Sequence, residues 1–302
     1  MNIIGKKYLY FLISLIVIIP GLISLYLYGL NLSVEFTGGS NFTFTFQKSL
    51  DKNQVNEINT IFNTNKIRIL NINTSGKQVL VKSQPVNQQE DIKITSDMKN
   101  KLGNFSQDQY ETIGPTIGSE TTTNAVKALV IASLLIVLYI TLSFRKVPRP
   151  ASSLRFGICA IIALIHDVLV LLGLFSIFGH FFGVEVDSLF MTAVLTVIGF
   201  SVHDTIVVFD RIRENLRRIG GDNFAEVVND SILQTLDRSL NTSLTVVLVL
   251  VALLLFGGES IRWFVVALLI GIISGTYSSI FNASPLLVVW QEFLDRRKSK
   301  KA

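Results

Sequence analysis

The sequence has few of the residues on which disulfide scaffolds, metal sites and most enzyme active sites depend. Its 302 residues include one cysteine and three histidines, and only 16% of them are charged. A single cysteine, Cys159, excludes an internal disulfide framework and a multi-cysteine metal site. The chain contains no H-E-x-x-H, G-x-S-x-G or Walker A motif, so we expect no enzyme activity, no cofactor and no metal site.

Apolar residues are abundant: 49% of the chain is hydrophobic, and the mean hydropathy is +0.50. This composition is typical of membrane proteins. The first apolar run follows Lys6 and Lys7 as in a signal peptide, but it is long enough to span and no small-residue cleavage site follows it, so we expect an uncleaved anchor. Apolar stretches of spanning length predict six transmembrane helices, at 8–28, 124–144, 155–179, 187–209, 240–257 and 263–284.

The positions of the basic residues predict the orientation of these spans. Lys and Arg cluster before the first span, after the second and fourth spans, and in the tail 291–302, whereas the linkers 180–186 and 258–262 hold Arg262 and no other Lys or Arg. The positive-inside rule then places both termini in the cytoplasm and 29–123 on the opposite side. The net charge of +5 therefore indicates contact with membrane lipid, and we expect no nucleic-acid partner.

The polar stretch 29–123 is predicted to be a separate extracytoplasmic domain, followed by the helices of 124–290. Setting aside a short alternating segment at 32–36, also predicted as a strand, its elements follow the order β-α-β-β-α-β, which is the ferredoxin-like arrangement. The domain contains no histidine or cysteine, so we expect a binding or mechanical module. The predicted strands and helices lie at 41–47, 50–62, 66–72, 78–83, 87–102 and 110–113.

The cytoplasmic segment 211–238 is predicted to contain a short amphipathic helix. Asn223 to Glu226 resembles a capping box, and apolar residues follow it at helical spacing. The helix could lie at the inner interface or pack against the spans. In the sixth span, glycines and serines recur at Gly271, Ser274, Gly275, Ser278 and Ser279, which indicates close helix packing, and Pro285 is expected to end or kink that span.

Ionisable residues inside the predicted spans are the candidate functional residues, because a charge in hydrocarbon is costly. His203 and Asp204 lie in the fourth span, with Asp210 and Arg211 near its cytoplasmic end. Asp204 is the main candidate, and Arg238 at the start of the fifth span is expected at a similar depth, within reach of an ion pair. Three roles for Asp204 stay open: a static ion-pair partner, a proton carrier and a substrate contact.

His166 and Asp167 form a second histidine–aspartate pair, near the middle of the third span. No further His or Cys completes a metal set around it, and an intramembrane histidine is most often a hydrogen-bonded packing residue. The two pairs have similar surroundings, Ile165–Val170 against Val202–Val207, which suggests an internal repeat of three spans plus three.

Three segments form a recognisable set: the FTGG element Phe36, Thr37, Gly38 and Gly39 after the first span, the fourth-span motif 202–215, and the opening of the fifth span at 238–243. Together they resemble the SecF family of bacterial protein-export subunits, part of the SecD/SecF family in the resistance–nodulation–division superfamily. The resemblance covers nearly the whole chain and implies six spans with a ferredoxin-like outer domain. It implies a heterodimer with SecD, association with the SecYEG channel, and use of the proton motive force to help draw exported polypeptides outward after SecA.

The resemblance also brings YajC and YidC into consideration as partners, and it implies the bacterial cytoplasmic (inner) membrane as the location. Carried over by motif, Asp204 is the proton-path carboxylate and Arg238 is its basic partner. His203 stands where the family often has small or other polar residues, so a role for it in proton transfer has no support from the family. The alternatives are a proton-coupled exporter of small molecules or lipids from the same superfamily, and a structural scaffold that uses no protons.

Overall fold

A computed structural model describes residues 2–145, 147–148, 150–220 and 223–299. The chain divides into two compact units. The first, here called the membrane unit, comprises Met1–Asn31 and Ala128–Ala302. The second, here called the sheet unit, comprises Leu32–Lys127, so its bounds differ by a few residues from the predicted 29–123.

Within the described residues, six helical segments are long and apolar enough to cross a membrane, as predicted. The last of them consists of two α-helices joined by a π-helical turn, Ser279–Ala283. In chain order the α-helices are α1 (Lys7–Tyr28), α2 (Val34–Thr37), α3 (Lys52–Thr64), α4 (Gln88–Leu102), α5 (Pro115–Ser143), α6 (Ser153–Phe182), α7 (Ser188–Ile219), α8 (Phe224–Phe256), α9 (Arg262–Ser278) and α10 (Ser284–Ser299). The strands are β1 (Gly39–Phe46), β2 (Ile69–Ser75), β3 (Gln78–Ser83) and β4 (Phe105–Ile113).

The segment 211–238 is not a separate helix, which corrects the prediction. α7 continues to Ile219, where Gly220 ends it at φ 88°, and α8 then runs from Phe224 to Phe256 as one helix. No Gly or Pro lies between 224 and 256, so nothing in the sequence interrupts the helix between its polar start and its apolar span. The predicted start at Asn223 is confirmed, although the Asn223 amide donates to the Glu226 carboxylate at 2.7 Å and does not cap the backbone.

Glycines bring the helices of the membrane unit close together, as the spacing of small residues predicts. A Cβ atom added at Gly21 of α1 would lie 2.8 Å from the Gly173 Cα of α6, and one added at Gly271 of α9 would lie 2.0 Å from Val197 of α7. Without these side chains the backbones approach closely, and short hydroxyl side chains then reach across. One example is the 2.8 Å hydrogen bond between Ser24 and Ser176 that joins α1 to α6.

The π-helical turn Ser279–Ala283 lies directly before Pro285. Pro285 has no backbone N–H, and in a regular α-helix its ring would meet the carbonyl group of Phe281. The wider π turn accommodates the proline, and the helix resumes as α10. The proline therefore changes the pitch of the last span and does not end it.

The sheet unit has the predicted ferredoxin-like topology. Its described strands form one antiparallel sheet in the order β2-β3-β1-β4. Phe42, Phe44 and Phe46 of β1 are buried against α3 and α4, as their alternation predicts. Both helices begin with full capping boxes, at Asp51 with Gln54 and at Asn87 with Glu90.

Two elements of the sheet unit differ from the predictions. The segment 32–36 is not a strand: the Ser33 hydroxyl accepts from the Glu35 N–H and caps the single-turn helix α2. The last strand starts at Phe105 and not at 110, because the polar run 106–109 concealed it. β4 is an edge strand with a bulge opposite Thr43 and Phe44, so much of it faces solvent and shows no apolar alternation.

Candidate functional site

Asp204 lies on α7 with 2% of its surface exposed. Its Oδ2 accepts hydrogen bonds from the Ser243 hydroxyl of α8 and the Thr276 hydroxyl of α9, both at 3.4 Å, and these two hydroxyls are 2.6 Å apart. Distances of 3.4 Å are long for O–H···O bonds, so the carboxylate is held loosely. Ser243 and Thr276 also line a cavity of about 330 Å³ between α8 and α9. Asp204 therefore has two weak hydrogen-bond donors, and both donors line the neighbouring cavity.

Arg238 does not pair with Asp204 within this chain. It is exposed on α8, and no ion pair joins it to Asp204 in the described structure. Ser243 occupies the position beside Asp204, and Arg238 lies five residues before it, about 7.5 Å along the helix axis. The expectation of equal depth is therefore wrong by more than one helical turn, because α8 begins at Phe224 and Arg238 lies well inside it.

The other residues of the fourth-span motif point away from this cluster. His203 is exposed, and Asp210 forms an ion pair with Arg213 one turn further along α7. Arg211 donates to Glu214 and to Gln234, both at 2.6 Å. The second contact joins the C-terminal part of α7 to the N-terminal part of α8. Their contacts stabilise α7 and its packing against α8, and none of these side chains contacts Asp204 in the described residues.

Asp167 of α6 is the most densely hydrogen-bonded carboxylate among the described spans. It is 1% exposed, and the Ser201 and Ser278 hydroxyls each donate to its Oδ2 at 2.6 Å. The Ser274 hydroxyl donates to its Oδ1 at 2.8 Å, and His166 Nδ1 lies 3.0 Å from the same oxygen. The donors come from α6, α7 and α9, so Asp167 joins three helices.

Sequence reasoning missed the hydroxyl groups of both clusters. Ser201 shares a helical face with Asp204 but donates to Asp167, and Ser274 and Ser278 were interpreted as packing residues only. A signal was present, because serines recur beside glycines in the sixth span and two isolated aspartates lie in neighbouring spans. A buried carboxylate requires donors, so such serines are candidates for that role.

The FTGG element has a structural role in the sheet unit. Gly38 and Gly39 have φ of 71° and 137°, which favours glycine, and a Cβ atom at Gly39 would lie 2.7 Å from the Ser83 carbonyl oxygen. Phe36 is buried, and its carbonyl group accepts from the Thr122 hydroxyl of α5 at 3.1 Å. Thr37 donates from its hydroxyl to the Ser33 carbonyl group at 3.1 Å. The element thus packs the start of β1 against β3 and the first turns of α5.

Two family models match the chain. The family described as protein export membrane protein SecD/SecF, C-terminal, matches residues 93–293, which include Asp167 and Asp204. The SecD/SecF GG motif matches residues 23–49, which include the FTGG element. The two matches together cover the sheet unit in part, the end of the first span and nearly all of the other five spans.

Curated relatives and solved structures agree with these matches. Protein translocase subunit SecF of Thermobaculum terrenum is 47% identical over 300 residues, with 96% of this chain and 94% of that protein covered. The corresponding subunit of Anaerolinea thermophila is 45% identical over 295 residues, with 96% and 94% covered. The crystal structure of SecDF, a translocon-associated membrane protein from Thermus thermophilus, superimposes with a TM-score of 0.81 at 32% identity. It covers 97% of this chain, which spans only 39% of that longer protein. The chain belongs to the SecF family of protein translocase subunits.

Proposed function

We propose that this SecF-family subunit works with a SecD partner in the bacterial cytoplasmic membrane and uses the proton motive force to assist export through the SecYEG channel. Asp204 carries the proton. The observation that supports this role is its burial beside two loosely held hydroxyl donors and a cavity of about 330 Å³. A carboxylate held in this way can gain or lose a proton without breaking a strong ion pair.

The match to SecDF supports a SecD partner, because the solved chain contains much more than the part similar to this chain. The solved SecDF protein is one chain of which this chain spans 39%. Arg238 is exposed on α8 and has no ion pair with Asp204, so we propose that it meets the partner's spans and approaches Asp204 only during the cycle. The positive-inside pattern supports cytoplasmic termini. SecA, YajC and YidC are further proposed contacts of the assembled machine.

The loose environment of Asp204 favours the proton-carrier role over a static ion pair, because the expected arginine is absent from its hydrogen bonds. It therefore also favours a coupled subunit over a structural scaffold. The exporter alternative gains no support, since the relatives of similar length are named as translocase subunits. One proton that moves across about 100 mV supplies about 2.3 kcal/mol, enough to bias a two-state element about 50-fold.

The test is export of a pulse-labelled secretory precursor in bacteria depleted of their own SecF and supplied with this chain and its SecD partner. Asp204→Asn should abolish the part of export that a protonophore also abolishes. Asp237→Asn is the matched control, because it removes an exposed carboxylate of α8 and should export at the native rate. Equal export by Asp204→Asn and the native chain, at equal membrane levels, would refute the proposal.

Arg238 allows a second test of the same proposal. If it serves a partner contact, Arg238→Lys should keep part of the proton-dependent export and Arg238→Gln should lose it, because lysine retains the charge without the bidentate geometry. Normal export by Arg238→Gln would remove Arg238 from the proposal.

A further inference from the structure

His166 and Asp167 form a buried polar pair deep in the membrane unit. His166 is the fourteenth residue of α6, about 20 Å from its first residue by helical rise, which is near mid-membrane depth. Its side chain is 10% exposed and that of Asp167 is 1% exposed. His166 Nδ1 lies 3.0 Å from Asp167 Oδ1.

The hydrogen bonds of Asp167 match an ionised carboxylate. Both of its oxygens receive two contacts, from the three serine hydroxyls and the imidazole, so the group is satisfied without a proton of its own. A negative charge at this depth is costly, and a positive charge nearby lowers that cost. In the described part of the chain, His166 is the residue in contact with Asp167 that can become positively charged.

The second ring nitrogen of His166 has no protein partner. His166 Nε2 is buried and makes no hydrogen bond among the described residues. His166 lines a cavity of about 340 Å³ between α1, α6 and α9, together with Ser14, Ser274 and Tyr277. This space exceeds the volume of one water molecule many times, and its walls are almost wholly apolar.

We propose that His166 and Asp167 form a second protonatable centre in the membrane unit, in which Asp167 stays ionised and His166 binds the proton through Nε2. A hydronium ion that reaches Nε2 transfers a proton to it and leaves as water, and the resulting imidazolium pairs with the Asp167 carboxylate. The pair then changes between net charges of −1 and 0.

The groups around His166 define what else affects this centre. On α6 the titratable neighbour is Asp167, and on α9 it is Tyr277, whose ring centroid lies 6.4 Å from that of His166. The α1 wall contributes the Ser14 hydroxyl and no charged side chain among the described residues. On α7, Ser201 links the centre to Asp204 one turn further along the helix.

Further hydroxyl groups join α7 to the last span beside this centre. The Ser201 carbonyl group accepts from the Thr205 and Ser279 hydroxyls, which are also 2.9 Å from each other. Thr205 follows Asp204 in the sequence. A change of charge at Asp167 therefore acts on α7 and α9, the same helices that hold Asp204 and Thr276. The use of this centre in export rests on the proposed function, but its existence does not.

The first test is imidazole nitrogen NMR on the full chain in lipid nanodiscs. The chain has three histidines, and the double variant His180→Gln, His203→Gln leaves His166 as the only signal. His166 should change from a neutral to a charged ring as the pH is lowered, with Nε2 gaining the proton. Asp167→Asn should lower the charged fraction at a given pH about tenfold, because the compensating charge is gone. A ring that stays neutral throughout, or an unchanged titration in Asp167→Asn, would overturn the proposal.

The second test does not depend on whether Asp167→Asn folds. In the same double variant, the further change His166→Gln should remove one of the protons that each chain binds as the pH is lowered, measured by potentiometric titration. Equal proton uptake would refute the proposal. In precursor export, His166→Gln should change the pH profile, whereas His180→Gln should not. If Asp204→Asn exported normally, the proposed function would fail, but the NMR and proton-uptake results would still decide the status of His166.

Discussion

A methyl group at Gly39 provides a sharp test of the FTGG element. Gly39 has φ 137°, and a Cβ atom there would lie 2.7 Å from the Ser83 carbonyl oxygen and 3.2 Å from a Val34 methyl group. The Ser83 oxygen belongs to the backbone of β3, so it cannot move aside as a side chain can. Gly39→Ala therefore combines backbone strain with an overlap at the junction of β1 and β3.

The expected loss of stability in Gly39→Ala combines two destabilising contributions and one smaller stabilising contribution. A left-handed backbone costs about 1–2 kcal/mol for a residue with a Cβ. Overpacking adds about 1–3 kcal/mol. Alanine also restricts the unfolded chain, which stabilises the folded protein by about 0.4–1 kcal/mol. Gly76→Ala is the matched control, because Gly76 also has positive φ, 59°, but has nothing within 4 Å of its added Cβ. The φ of 137° at Gly39 is almost restricted to glycine, whereas 59° at Gly76 lies in the milder left-handed region, so the two variants differ by at least the overlap of about 1–3 kcal/mol.

The assay is amide hydrogen exchange of β1 in the full-length protein, followed by mass spectrometry. Where exchange proceeds by opening of the sheet unit, 1–3 kcal/mol corresponds to exchange about 5- to 150-fold faster in Gly39→Ala than in Gly76→Ala. Both variants should show unchanged exchange in α7, which lies in the membrane unit. Equal exchange of β1 in the two variants would refute the argument that the Ser83 contact requires glycine at position 39.

Two further predictions concern packing and pH. Gly271→Ala should lower the stability of the membrane unit by about 1–3 kcal/mol, since its Cβ would meet Val197, while Gly199→Ala, with nothing within 4 Å, should not; thermal unfolding in detergent measures both, and equal melting temperatures would contradict it. The Asp108 carboxylate is exposed, and hydrogen bonds, first from Thr45, hold its pKa below the ordinary 3.8. Its stabilising contribution is therefore present above that value and lost as pH falls through the lowered one. Thr45→Val should destabilise the sheet unit at about pH 7 but not at about pH 2, by exchange or proteolysis, and an equal loss at both would refute the linkage.

The regular elements of this fold could be predicted because each carries its own local signal. Phe42, Phe44 and Phe46 alternate along β1, and the apolar spans are long enough to identify by length alone. The sequence predicts only the last residues of β4, because its edge position leaves polar residues in the rest of the strand. The break between α7 and α8 lies at a glycine, but nothing local shows that α8 continues from a polar first half into an apolar span.

The partners of the intramembrane carboxylates could not be predicted, because they depend on how the helices pack. The motifs point to Asp204 and Arg238, but the apparent start of the fifth span does not give the depth of Arg238 in the membrane. The prediction for Arg238 failed because α8 extends far beyond its apolar part. The serines around Asp167 lie 34, 107 and 111 residues away in sequence, so only the packed structure brings them together.

The π-helical turn allows α9 to rotate relative to α10 within the last span. The Ser279 hydroxyl donates to the Gly275 carbonyl group at 2.8 Å, and the Ser284 hydroxyl donates to the Ser279 carbonyl group at 3.3 Å, so substitute donors already serve the backbone on both sides of the turn. α9 is held against α7 by its glycines, whereas Gln291 of α10 accepts from Arg155 at 2.5 Å. Twisting of α9 can therefore be absorbed over five residues while α10 stays bound to α6.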